Sequence, residues 1–369
     1  MRTHARTYTV GGALVVLAAL GLTACTANTS TNDDSGQADG ANTVTLIVHD
    51  SFPNDEFAAA ASAATGYEVE VVSAGDGGEL TSQLVLTKSA PVADAFFGVD
   101  NIYASRLIDN EAVEPYQPGE GAPQRALDFA GELVSGGSGE GSNAELPLVP
   151  ITLGATCINI DPAWFAEHGI AEPQSYEDLT APEYRGLTVL LDPSTSTTGA
   201  SFLIGTVAKF GESGFEEYWQ QLAANEVRIE QGWTEAYNGR FTQGGGDGTY
   251  PIVLSYSSSP AWTVTEDGES TTTEALLDTC SSQVEYAGVL QGAANPEGAK
   301  AVVDYLLSRE FQDTIADTMY VYPIDEGAYV PAEWERFAPL PSAPNDLSPA
   351  EIGSGRDGWL KRWSQATGW

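Results

Sequence analysis

From Val44 onward, short β-branched runs alternate with Ala- or Leu-rich stretches of helical period, and this alternation predicts the fold class. Val44–His49 reads as a strand. Asn54–Thr65 is Ala-rich, opens on Asn54 and Asp55 and stops at Gly66, the signature of a short helix. Tyr67–Ser73 predicts a second strand, Glu79–Ser89 a helix with Leu80 and Leu84 one turn apart, and Val92–Val99 a buried strand. Gln117–Glu145, rich in Gly, Ser and Pro, reads as a surface excursion or boundary. A second alternating block begins near Leu148. In it Thr152–Ile160, Leu187–Leu191, Val227–Gln231 and Ile252–Tyr256 predict strands, and Gly199–Phe210 and Phe215–Ala224 predict helices. Thr263–Asp278, acidic and Thr-rich, predicts a loop, and Val284–Gln291 returns to strand. Pro296–Ala316 is the longest helical pattern, with Ala301, Tyr305, Leu306, Phe311 and Ile315 on one face. A last helix starts at Ser348-Pro349-Ala350-Glu351, a capping box with Pro at the first helical position. The expectation is an α/β protein with mixed sheets flanked by helices.

The N-terminus departs from this pattern. Arg2 and Arg6 precede an apolar run, Val10–Leu22, that is shorter than the ~20 residues of a membrane span. Leu22-Thr23-Ala24-Cys25 follows and resembles the bacterial lipobox. Residues 1–24 are therefore read as a lipoprotein signal peptide and Cys25 as the lipidated residue. Residues 25–42, small and polar, form a disordered tether. This puts the protein outside the cytoplasm, held to the cell membrane through the lipid on Cys25. At ~150 residues per domain, the remaining length suggests two domains. Two cysteines are left, Cys157 and Cys280, an even pair in an oxidising compartment and a possible disulfide.

Charge narrows the partners. The chain carries 15 Lys+Arg against 52 Asp+Glu, a net charge of −37. That balance excludes nucleic acid and repels anionic membrane surfaces. With 42% hydrophobic residues and eight Trp, the chain is nevertheless able to build cores. A neutral or cationic small molecule is the favoured partner. Beyond the leader only His49 and His168 remain, with no zinc-binding His pair, no nucleophile elbow and no phosphate loop. The chain is read as a non-enzyme needing neither metal nor cofactor.

Three stretches carry binding chemistry. Asp192–Gly199 follows a strand and opens a helix with a run of hydroxyls. Gly232–Tyr237 sets Trp233 and Tyr237 beside Glu235, and Ser255–Trp262 flanks hydroxyls with aromatics. Together they offer π-faces, hydroxyls and negative charge, an inventory suited to an aromatic cation.

Ser175–Leu179 through Asp192-Pro193, and the late helical run Tyr305–Gln312, resemble type 2 periplasmic-binding-fold proteins. Within that group the chain resembles the thiamine-binding subunits of ABC importers. The likeness runs in order through His49–Phe52, Gly98–Asn101, Asp192–Gly199, Gly232–Tyr237, Leu254–Pro260 and Met319–Pro323. The resemblance implies a two-lobed clamp with the ligand between the lobes. Lobe I would comprise residues 43–150 and 285–369, and lobe II residues 151–284. It implies a monomer that captures thiamine, or its phosphates, and delivers it to a membrane permease. Carried over residue by residue, Asp76 and Gly77 match an acidic-Gly loop at the cleft, and Ser196 and Thr197 a hydroxyl pair. Trp233 matches a stacking Trp, and Tyr256, Ser257, Ser258 and Ser259 a Tyr plus hydroxyl run. Trp262 and Tyr320 stand where the family has aromatics. His49 replaces a Tyr of the first strand, and Ser194 stands where relatives can carry Arg. Within the same fold the alternative cargoes are a polyamine or ferric iron.

Overall fold

Ten strands make one mixed sheet, in a computed structural model that describes residues 42–119, 121–135 and 145–369. The leader, Cys25 and most of the tether lie outside the described residues. The strands are β1 (Thr43–Val48), β2 (Glu68–Ser73), β3 (Ala95–Asp100), β4 (Val113–Glu114) and β5 (Val149–Ile160). They continue as β6 (Thr188–Leu191), β7 (Arg228–Glu230), β8 (Ile252–Tyr256), β9 (Glu274–Leu290) and β10 (Tyr322–Pro323). Their order is β2-β1-β3-β9-β5-β8-β6-β7, with β4 on β9 and β10 on β5.

At one end β1 runs parallel to β2 and β3; at the other β6 runs parallel to β7 and β8. The two parallel groups meet through an antiparallel pair, β5 and β9, the two longest strands. β5 is buried at all twelve positions, as expected of a strand covered on both faces. The β5–β9 register shifts twice, between Pro150 and Thr152 and between Thr156 and Ile158. At the second shift Cys157 and Cys280 are joined by a disulfide that closes a sequence separation of 123 residues.

The helices are α1 (Asn54–Thr65), α2 (Gly77–Leu86), α3 (Ala104–Asp109), α4 (Gln124–Ser135) and α5 (Pro162–His168). Then come α6 (Thr197–Phe210), α7 (Phe215–Ala224), α8 (Trp233–Arg240), α9 (Pro296–Leu307), α10 (Arg309–Gln312), α11 (Ile315–Met319), α12 (Trp334–Phe337) and α13 (Pro349–Thr367). α1 ends where Gly66 takes the left-handed conformation, φ 78°. α6 is buried from Thr197 through Val207, because it lies between the sheet and other helices. In α13, Ser348 and Glu351 complete the capping box, and Arg362 pairs with Glu212 and Glu216 beside α7.

Three expectations are corrected. The single helix over Pro296–Ala316 is three helices, because Ser308 is extended (ψ 149°) and its hydroxyl caps α10 through Phe311 N–H. The loop over Thr263–Asp278 gives way to β9 at Glu274, so one 17-residue strand replaces a loop and a short strand. The excursion over Gln117–Glu145 contains α4. Among the described residues no helix is long and apolar enough to cross a membrane.

Candidate functional site

A cavity of about 280 Å³ opens where loops after β1 and β2 face the starts of α6 and α8. His49, Asp76, Gly77, Thr197, Trp233, Tyr256, Ser259, Trp262 and Tyr320 line it, so residues more than 200 positions apart in sequence share one wall. Ser196, Ser257 and Ser258 are not on that wall. Ser196 caps α6 through Gly199 N–H, Ser258 donates to the Tyr320 carbonyl, and the buried Ser257 donates its N–H to Ala155.

His49 follows β1 and its ring rests on Phe97 and Phe52, at 5.8 and 6.2 Å between centroids. Its Nδ1 accepts the Ser51 N–H at 3.2 Å. The ring fits because Gly98 is opposite: a Cβ there would lie 2.3 Å from His49 Cδ2, and Gly98 has φ +102°.

Asp76 is the N-cap of α2. Its Oδ1 accepts from Gly77 N–H (2.7 Å) and Thr197 N–H (3.0 Å), and its Oδ2 from Trp233 N–H (3.2 Å). One buried carboxylate thus sits on the first amides of α2, α6 and α8, the place where helix dipoles favour an anion. Burial pushes its pKa up, against the pull of those N–H donors. The approach is close: a Cβ on Gly78 would meet the Thr195 carbonyl at 2.4 Å, and Glu79 N–H and the Tyr103 hydroxyl donate to the Thr195 and Pro193 carbonyls. The hydroxyls of the Asp192–Gly199 loop are engaged locally. Ser194 bonds Asp192, and Thr195 bonds the Gln231 carbonyl.

The aromatic wall comes from α8 and β8. Trp233 stacks on Tyr237 at 4.9 Å and 11°, and Tyr256 lies 6.3 Å away. Trp233 Nε1 donates to Ser255 Oγ (2.8 Å), which also meets Ser259 Oγ (2.7 Å), so the indole plane is fixed. The Tyr256 hydroxyl meets Thr198 Oγ1 at 3.2 Å. Burial, and after it the charge of Glu285, keeps that hydroxyl protonated. At the opening Trp262, 57% exposed, stands edge-on to Tyr320 at 5.1 Å. Tyr320 ends α11 at φ 54°, an uncommon conformation for a residue with a Cβ.

Sequence reasoning missed Tyr237 as a wall residue, and Glu285 altogether. The first was in view within Gly232–Tyr237; the second is the single acidic residue of the strand predicted over Val284–Gln291, with no motif around it. Among the described residues the carboxylates lining the cavity are Asp50, Asp76 and Glu285, and neither Lys nor Arg lines it. Tyr322, two residues from Tyr320, donates to the Ala338 carbonyl and packs edge-on to Trp334. Among the described residues no group of three or more His, Cys, Asp or Glu is placed to hold a metal ion.

The model for the family described as bacterial extracellular solute-binding protein matches residues 90–341. The thiamine-binding periplasmic protein of Escherichia coli is 27% identical over 329 residues, covering 88% of this chain and 93% of that protein. Among solved structures, a periplasmic thiamin binding protein superposes with a TM-score of 0.73 at 24% identity, covering 88% of this chain and 96% of its own. Iron-bound HitA from Pseudomonas aeruginosa gives 0.66 at 21%, covering 88% and 99%. These likenesses establish a periplasmic-binding fold, an α/β sheet flanked by helices.

Proposed function

The chain belongs to the bacterial extracellular solute-binding proteins, and on that premise we propose that it captures thiamine and delivers it to an ABC permease. One observation carries the choice of cargo. Among the described residues the cavity is walled by Trp233, Tyr237 and Tyr256 and lined by three carboxylates with no Lys or Arg. Such a site suits a flat cationic ring system, whose faces gain from stacking and whose charge gains from nearby acids. The relatives named for thiamine support the same cargo.

In this reading residues 43–150 and 285–369 form one lobe and 151–284 the other, hinged on β5 and β9. Asp76 then links the lobes, since its own loop belongs to the first and Thr197 and Trp233 to the second. Trp233, Tyr237 and Tyr256 hold the rings, and Trp262 with Tyr320 covers the opening. Cys25 carries the lipid that keeps the receptor at the membrane, and the protein acts as a monomer that binds rather than converts its ligand.

Thiamine is preferred over its phosphates. The helix amides that would seat a phosphate already hold the Asp76 carboxylate, and Ser194 brings no charge. Calorimetry of thiamine, its monophosphate and its diphosphate against the full chain tests both points. Saturable micromolar or tighter binding of thiamine is expected, weakening with each phosphate. No heat and no change in Trp fluorescence at micromolar thiamine would refute the cargo.

A further inference from the structure

The carboxylates lining the cavity are not equivalent. Asp50 is exposed, and a solvated charge discriminates weakly between ligands. Asp76 is already balanced by the amides of Gly77, Thr197 and Trp233. Glu285 differs from both. It lies on β9, paired opposite Asp100 of β3 and Thr152 of β5, in a stretch buried from Val284 to Leu290. A carboxylate in the middle of a covered sheet is costly unless both of its oxygens find partners. Oε2 accepts the Thr152 hydroxyl at 2.6 Å. Among the described residues Oε1 has only His49 Nε2, at 3.7 Å, beyond hydrogen-bond reach.

We propose that Glu285 is the specificity-determining residue that makes this cavity select a positively charged ring, its Oε1 supplying the counter-charge between the aromatic walls. The inference rests on the reading of the cargo as thiamine and assigns the recognition of its thiazolium charge to one residue. Two neighbours support the assignment. Tyr256, a wall of the cavity, feels the Glu285 charge, so the carboxylate and the ring-binding wall are within electrostatic reach. Asp100, across the strand pair, is pushed up to about 8, mainly by burial and further by Glu285, so it stays neutral near pH 7. Of this cross-strand pair, Glu285 is the carboxylate that lines the cavity. His49 is the basic side chain facing it, and a bound cation can approach the same oxygen from the cavity.

The experiment compares thiamine with its uncharged isostere, in which carbon replaces the quaternary nitrogen of the five-membered ring. Both are titrated calorimetrically into the full chain and into Glu285→Gln, with Glu285→Asp as a charge-retaining control. Glutamine keeps an acceptor for Thr152, so the floor keeps its hydrogen bond. Thiamine should bind Glu285→Gln about tenfold more weakly or worse, while the isostere changes by less than about twofold. Glu285→Asp should keep the preference for the charged ligand. Equal weakening of both ligands would show a structural role and overturn the proposal, as would unchanged thiamine affinity. If Glu285→Gln melts early or does not fold, the Asp variant decides: loss of its charge preference overturns the assignment. Failure of the unaltered chain to bind thiamine is a separate result, which removes the cargo reading itself and this inference with it.

Discussion

Replacing Trp233 by Ala removes one ring face and little else. The Trp233 backbone N–H that reaches Asp76 survives in alanine, so the start of α8 stays capped. Ser255 Oγ loses the indole donor but keeps Ser259 as partner. The residue is half-buried, and alanine chiefly removes its stack on Tyr237. That change amounts to roughly 1–2 kcal/mol of stability. Binding should suffer more. A cationic ring over an indole is worth roughly 0.5–2 kcal/mol and an offset aromatic stack roughly 0.5–1.5 kcal/mol. Taken together at about 2–3 kcal/mol, they correspond to a roughly 30- to 150-fold rise in thiamine Kd. Trp233→Phe retains a face while losing Nε1, and should stay within about fivefold of the unaltered chain. Calorimetric titration at fixed salt, paired with a thermal melt, separates affinity from folding. If Trp233→Ala binds within about threefold of the unaltered chain with a normal melt, Trp233 is not the ring platform.

Asp76→Ala should leave the Thr197 and Trp233 amides without their acceptor and lower stability by about 2–4 kcal/mol in urea, with faster thiamine release in stopped flow. An unchanged release rate would argue against a link between the lobes. Asp100 has an ordinary value of 3.8 and a folded value of about 8. Between these the folded chain holds a proton that the unfolded chain gives up, so this stabilising contribution is present at low pH and lost as pH rises towards 8. Asp100→Asn cannot ionise, and its stability relative to the unaltered chain should rise by up to about 1.4 kcal/mol per pH unit between about pH 5 and 8. A pH-independent difference would contradict the burial argument. Replacing both Cys157 and Cys280 by Ala opens a 123-residue separation and should cost about 4–5 kcal/mol in urea unfolding, read against an unaltered thiamine Kd.

Local signals carried most of the secondary structure. Asn54–Thr65 and Phe215–Ala224 are helices over the spans their patterns predict, and the Ser348 capping box opens α13. Sequence missed elements whose signals compete. Trp233–Arg240 carries aromatics, Gly239 and little apolar periodicity, so it reads as a binding motif rather than as the helix it also is. Ser308 breaks a helical pattern because its hydroxyl offers the next turn a cap, a choice made by tertiary packing. Glu274–Leu290 reads as loop then strand because its first half is acidic and Thr-rich. Pairing with β5 along nearly its whole length makes it one strand. The site divides the same way. Aromatics and hydroxyls sit in short runs and could be found. The hydrogen bonds that assemble the cavity join Asp76 to Thr197 and Trp233 across 121 and 157 residues, a separation with no local signature.

The net charge of −37 and the three carboxylates at the cavity act over different distances. Surface acids make a field that draws cations in, but at physiological salt this field is screened within about 8 Å, so it affects encounter more than choice. A polyamine and thiamine would be drawn alike. Discrimination needs charge out of water, where screening fails, beside groups that recognise shape. Asp76 meets the first condition, but its oxygens are engaged by the amides of three helices. Glu285 meets both, buried on β9 within electrostatic reach of Tyr256, with one oxygen outside hydrogen-bond reach of any partner among the described residues. The aromatic walls then fix the geometry: Trp233 and Tyr237 lie within 11° of parallel and offer a plane, which a flat ring fills and an extended aliphatic amine does not. Acidity therefore accounts for attraction, while one buried carboxylate set among ring faces accounts for selection.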